Sequence, residues 1–463
     1  MSLYEHGLDV SWLLLGAFLL LFVLTGLALI AAGLNRAKNS GHTMAMNLTA
    51  FAAAVLGTGV SGFALAAGGL GDRGRFVSIS LGGHVWNLAG WRHFFLASGG
   101  TVAPAGGAGA AALSGLPGMA LFLPLALLMA VACAIPIGAL AERWKFRSLC
   151  AVAAGLGAII FPVVACWVWG GGFLAQLGAH GGLGRGGVDF AGGAVVHLQA
   201  GVVALVGVLI LGPRIGKYDT AGRPKPIFGH HMPMVFLGTL LFAFGWSGYM
   251  VALALARGAS ASASVIAVNT VLACAAGVAT ACAVMWRMFG KPDPTMMCSG
   301  LLASLAASSA GAPFVAPWAA VLTGAGAGLL ACLGVVGLEK RRIDDPAGII
   351  SVHGIGGLWG VLALGLWADG VHGRDLLLPQ GGPSGGVTGL FYGGFAQLLA
   401  QFILALATIA WAAVTSALLF FLLGKVFGGN RVNPDVEVAG LDLYEMGSPA
   451  YPDFIASLDR RND

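Results

Sequence analysis

The chain has 463 residues, of which 58% are hydrophobic and only 9% charged, against about 25% charged residues in an ordinary soluble protein. That composition excludes a soluble globular or a disordered protein. The net charge of +5 is no argument for nucleic-acid binding, because the basic residues follow the sidedness expected of a membrane protein.

In chain order, the N-terminus "MSLYEHGLDVSW" lacks a basic stretch before its apolar run, so no cleavable signal peptide is expected. Apolar windows long enough to cross a bilayer then predict eleven helices, at about 10–33, 44–67, 118–140, 147–171, 192–212, 232–256, 262–286, 296–312, 315–338, 347–368 and 396–427. Helices are the realistic choice, since backbone groups in hydrocarbon must be satisfied within their own segment. The 75 glycines fit close packing of such helices.

With an outside N-terminus, only Arg73, Arg75, Arg92, Arg185, Arg257 and Arg374 of the 24 lysines and arginines fall outside. This bias alternates with every span and fixes the topology. The segment 68–117, rich in Gly and Ala with Trp86, Trp91 and Arg92, is either a partly ordered cap over an entrance or a linker. The polar tail 428–463 is cytoplasmic. Seven cysteines, an odd number without a CxxC or Cys/His spacing, support neither disulfides nor a metal site, and no cofactor motif stands out.

One motif occurs twice. "DFAGGAVVH" (189–197) returns as "DPAGIISVH" (345–353), with the spacing Asp-x-Ala-Gly-x4-His kept; Val196 and Gly201 also match Val352 and Gly357. The first copy opens the fifth span from outside, the second the tenth from inside. Five spans separate the copies, so the two halves run oppositely across the membrane. Inverted repeats place their functional site near the midplane at the pseudo-two-fold axis, where His197 and His353 meet. Titratable groups inside a membrane are costly and usually line a pathway. Asp189 and Asp345 precede helices and read as N-caps; Asp189 in addition places negative potential beside an outer vestibule.

These motifs, with "WVWGGG" (167–172), "HHMPMVFLGTLLFAFGWSGY" (230–249), "KPDPTMM" (291–297), "DDPAGIISVHGIGGLWG" (344–360) and "VEVAGLDLYEMGSPAYPDF" (436–454), resemble the ammonium transporter (Amt/Mep/Rh) family over nearly the whole chain. The resemblance implies an all-α polytopic membrane protein: a 5+5 inverted repeat with halves at about 10–212 and 232–368, and a final long helix at 396–427. It also implies a homotrimer in the plasma (inner) membrane with one pore per subunit. In that reading His197 and His353 are the pore pair, Trp169 faces the recruited cation, Tyr249 matches an aromatic of the same vestibule and Asp189 braces it. The tail resembles the segment that docks on the inner face, where PII-type signal proteins bind relatives.

The entrance departs from the family. Leu128 stands where a gating Phe is usual, Pro124 and Leu125 replace a Phe and a Gln, and Leu253 replaces a hydroxyl residue. The leading function is transport of ammonium or ammonia through a histidine-lined apolar pore. The alternatives are an ammonium sensor that conducts poorly and an Rh-like channel for neutral gas. No nucleophile, metal or phosphate-loop pattern suggests an enzyme.

Overall fold

A computed structural model describes residues 3–70, 76–97, 118–376 and 386–452. Among the described residues, eleven helices are long and apolar enough to cross a membrane: Asp9–Leu34, Ala37–Ala67, Gly118–Leu140, Phe146–Gly181, Gly193–Leu211, Met232–Leu255, Ser260–Phe289, Pro294–Phe314, Pro317–Lys340, Ile350–Trp367 and Phe395–Val426. They fall on the eleven predicted windows; most ends shift by three residues or fewer, but the second span starts seven residues earlier and the fourth ends ten residues later than predicted.

The first span packs along the sixth. A Cβ on Gly26 would lie 2.5 Å from the carbonyl oxygen of Gly238, so only the bare backbone fits there. Such close approach supplies dispersion contacts where lipid offers no hydrophobic drive between helices. The fourth span breaks at its end. The helix closes at Val168, Gly171 turns with φ +81, and a short helix Phe173–Gly181 follows.

The described residues of the segment 68–117 have structure of their own, which the sequence left open. Strands β1 (Phe76–Leu81) and β2 (His84–Gly90) form an antiparallel hairpin. Its two-residue turn, Gly82 and Gly83, has positive φ at both positions, the conformation that matches strand twist. Trp167 Nε1 donates to Leu88 O at 2.8 Å, and Asn87 N–H donates to Gln176 Oε1 at 2.9 Å. These bonds fix the hairpin on the fourth span. Residues 71–75 and 98–117 of the segment lie outside the described residues.

At the opposite face, buried charges are paired. Arg214 binds Asp344 at 2.8 Å and Glu142 at 3.3 Å, and Arg36 reaches Glu142 at 2.6 Å. The tail folds back on this face. Glu437 pairs with Arg431 and accepts the Ile215 N–H, while Asp442 accepts the N–H groups of Gly41 and His42. All seven cysteines are free.

Candidate functional site

The repeated motif produces the same local structure twice. Gly192 (φ +113) and Gly348 (φ +66) sit in the left-handed region, which glycine adopts without a Cβ penalty. Asp189 Oδ1 accepts from Gly192 and Gly193 N–H at 2.8 Å, and Oδ2 accepts from Ala194 at 2.8 Å and Val195 at 3.0 Å. One carboxylate thus satisfies the free donors of the helix start. Burial pushes the Asp189 carboxyl upward, and its four N–H bonds oppose that rise. Asp345 accepts the Ile350 N–H at 2.7 Å; burial raises it to about 6.

Both capped segments begin as π-helical turns, Gly193–Leu198 and Ile350–Ile355, a geometry frequent at functional sites. These turns carry the two histidines. His197 Nδ1 and His353 Nδ1 are 3.1 Å apart, with ring planes inclined by only 13°. One ring must donate and the other accept. Both are buried, and His197 Nε2 has no protein partner.

Main-chain contact sets the approach of the two segments. A Cβ on Gly201 would lie 2.3 Å from Gly354 Cα, and one on Gly357 would lie 2.7 Å from Gly193 O and 3.2 Å from His197 Cβ. Gly201 and Gly357 are the matched pair of the repeat. Their bare backbones let the imidazoles meet.

Beside the pair runs an aromatic stripe on the sixth span. Trp246 stands 4.6 Å from His197, and Phe242 stands 6.5 Å from His197 and 6.1 Å from His353, between ring centroids. Trp246 Nε1 donates to Ser309 Oγ at 2.8 Å. Tyr249, 5.7 Å from Trp246, continues the stripe into a cavity of about 100 Å³ lined also by Trp169, Leu128, Leu253, Phe190 and Arg257. Trp169 Nε1 donates to the Asp189 carbonyl at 2.7 Å, so the helix cap also holds the cavity wall.

The residues singled out from sequence therefore fall in two groups. Trp169, Tyr249, Leu128 and Leu253 share the cavity; His197 and His353 lie beyond it, behind Trp246. Sequence reasoning passed over Phe242 and Trp246, although "FAFGWSGY" spaces Phe242, Trp246 and Tyr249 at i, i+4 and i+7, one face of a helix. It counted Arg257 only as an outside charge. Among the described residues no cluster of His, Cys, Asp and Glu is arranged to hold a metal.

Comparison with known proteins places the chain in a family. Residues 11–451 match the model of the Ammonium Transporter Family. Ammonium transporter Amt2 of Archaeoglobus fulgidus is 38% identical over 459 residues, covering 98% of this chain and 90% of that protein. An ammonium transporter of Bacillus subtilis is 35% identical over 390 residues, with 82% and 89% covered. Among solved structures, a Sensor Amt Protein superposes with a TM-score of 0.79 at 28% identity, covering 96% of this chain and all of that one. Candida albicans Mep2 gives 0.78 at 25% identity, covering 97% and 92%. The chain belongs to the Ammonium Transporter Family.

Proposed function

We propose that the protein moves ammonium nitrogen across the membrane as ammonia, past His197 and His353. The observation that carries this reading is a buried imidazole pair whose His197 Nε2 has no protein partner. Neutral imidazole donates at one nitrogen and accepts at the other, which matches ammonia. Apart from Arg257, the lining up to that point is aromatic and aliphatic. A bare cation in such surroundings pays several kcal/mol or more, and a neutral molecule far less, so the nitrogen passes the histidines as neutral ammonia. Trp169, Tyr249 and the helix capped by Asp189 form the vestibule where the substrate pauses.

The family resemblance and the repeated motif support halves at about 10–212 and 232–368 related by inversion, with the helix at 396–427 added. They also support a homotrimer in the plasma membrane, with the N-terminus outside and the docked tail in the cytoplasm, where a PII-type protein is a fitting partner. In this reading the protein is a transporter and not an enzyme. A second reading, a poorly conducting ammonium sensor, draws on the likeness to the Sensor Amt Protein. Ammonia flux and current in proteoliposomes separate the two. Flux well above that of empty vesicles supports transport; binding without flux supports the sensor.

A further inference from the structure

The cavity that leads toward the histidines holds one charge among its described lining residues, and that charge is positive. Arg257 follows the end of the sixth span at Leu255. A basic residue at a helix C-terminus is favoured by the helix dipole, and at a membrane border it normally reaches into water. Arg257 does neither simply. Its Cζ lies 5.5 Å from the centre of the Phe190 ring, and its Nε is buried without a hydrogen-bond partner. No carboxylate pairs with it among the described residues, and the nearby Asp189 spends both oxygens on four backbone N–H groups. The guanidinium is charged at every physiological pH. It therefore already occupies an aromatic face at the vestibule, one of the features that would attract a cation.

We propose that Arg257 is the specificity-determining residue of this entrance: its resident guanidinium excludes ammonium, so neutral ammonia is the species that enters. The proposal rests on the cavity being the way in to the histidine pair. Two effects act together. A cation in the same small cavity meets a like charge on a half-buried side chain, and like charges a few ångströms apart repel at the effective dielectric of a protein. The Phe190 ring is also already engaged. Leu128 and Leu253, which also line the cavity, offer no compensating aromatic face or hydroxyl. Ammonia is indifferent to the fixed charge.

The test compares the native protein with Arg257→Leu, Arg257→Gln and Arg257→Lys, reading binding and transport separately. Methylammonium chloride, titrated against intrinsic tryptophan fluorescence in detergent, probes cation binding. Ammonia flux and current in proteoliposomes probe passage. The expected result is binding at least about ten-fold tighter in the Leu and Gln variants, with Lys remaining like the native protein, and a native flux that follows the ammonia concentration without current. Native binding as tight as that of the neutral variants overturns the proposal, as does a native current that saturates with ammonium. If the neutral variants gain binding while no variant conducts, the role of Arg257 stands and the transport reading falls. The Gln variant guards against a Leu substitution that fails to fold.

Discussion

Asp189 carries Trp169 as well as a helix start: its carboxylate takes four N–H groups, and its carbonyl takes the indole N–H at 2.7 Å. Asp189→Ala leaves those donors buried without an acceptor. It should cost about 2–3 kcal/mol and abolish transport, because the cavity wall moves with the cap. Asp189→Asn, which keeps one acceptor oxygen, should lose less. Thermal unfolding in detergent checks the stability, and uptake by well-expressed variants checks the function; unchanged uptake in the Ala variant would overturn the bracing role.

His197 and His353 share one hydrogen bond, so they act as a unit. Replacing either by Ala strands the other's nitrogen, at about 1–3 kcal/mol. Ammonia flux should fall at least about ten-fold in each single variant, and the double variant should fall little further. Additive losses would show that the two imidazoles work independently.

Gly201→Ala forces a methyl group to within 2.3 Å of Gly354 Cα. The neighbour is backbone and cannot rotate away. The cost should be about 1–3 kcal/mol or more, with transport lost. Gly59→Ala is the control, because its nearest neighbour would be Phe122 at 3.9 Å. Its melting temperature should stay close to that of the native protein.

Adjacent acids should respond to pH with opposite sign. Burial pushes Asp344 up, but the Arg214 guanidinium outweighs it and holds the carboxyl at about 2. That stability is complete above the ordinary value near 3.8 and is lost as pH falls toward 2. Asp345, raised to about 6 by burial, favours the folded state at low pH and penalises it as pH climbs from 4 to 6. The gap is worth roughly 3 kcal/mol. Asp345→Asn should flatten the decline in melting temperature over that interval, whereas Asp344→Asn should lower the melting temperature at pH 7. An unchanged slope in the first variant would refute the assignment.

The tail is fastened at named points. Asp442 accepts from Gly41 at 3.1 Å and His42 at 2.8 Å, and Leu441 N–H donates to Asn39 Oδ1 at 2.9 Å. Asp442→Ala removes the acceptor at the second span's start and should free the segment 441–452. Limited proteolysis should then cut there several times faster than in the native protein.

Much of this was legible in the sequence, for identifiable reasons. Spanning helices are written in long apolar windows, and the repeated motif announces itself because both copies need the same capping acid, left-handed glycine and histidine. Leu128 and Leu253, singled out as departures from the family at the entrance, both line the cavity. The hairpin was not legible. Its strands are short and largely exposed, and what holds them is Trp167 and Gln176, about 80 to 90 residues away. Trp246 was hidden because an aromatic stripe in a membrane helix looks the same whether it faces lipid or a partner. Arg257 was read by the sidedness of its charge, and periodicity cannot tell that its side chain turns inward.

The glycine seam at the crossing of the fifth and tenth spans has a mechanical consequence. Side chains relax by hopping between rotamers; Gly201 against Gly354 has none to hop between. The packing beside the imidazoles is therefore a stiff collar, whose spacing tracks covalent backbone geometry and resists thermal breathing. On the proposed transport reading, gating then belongs to the two ends, the arginine and leucines at the cavity and the clasped tail at the opposite face.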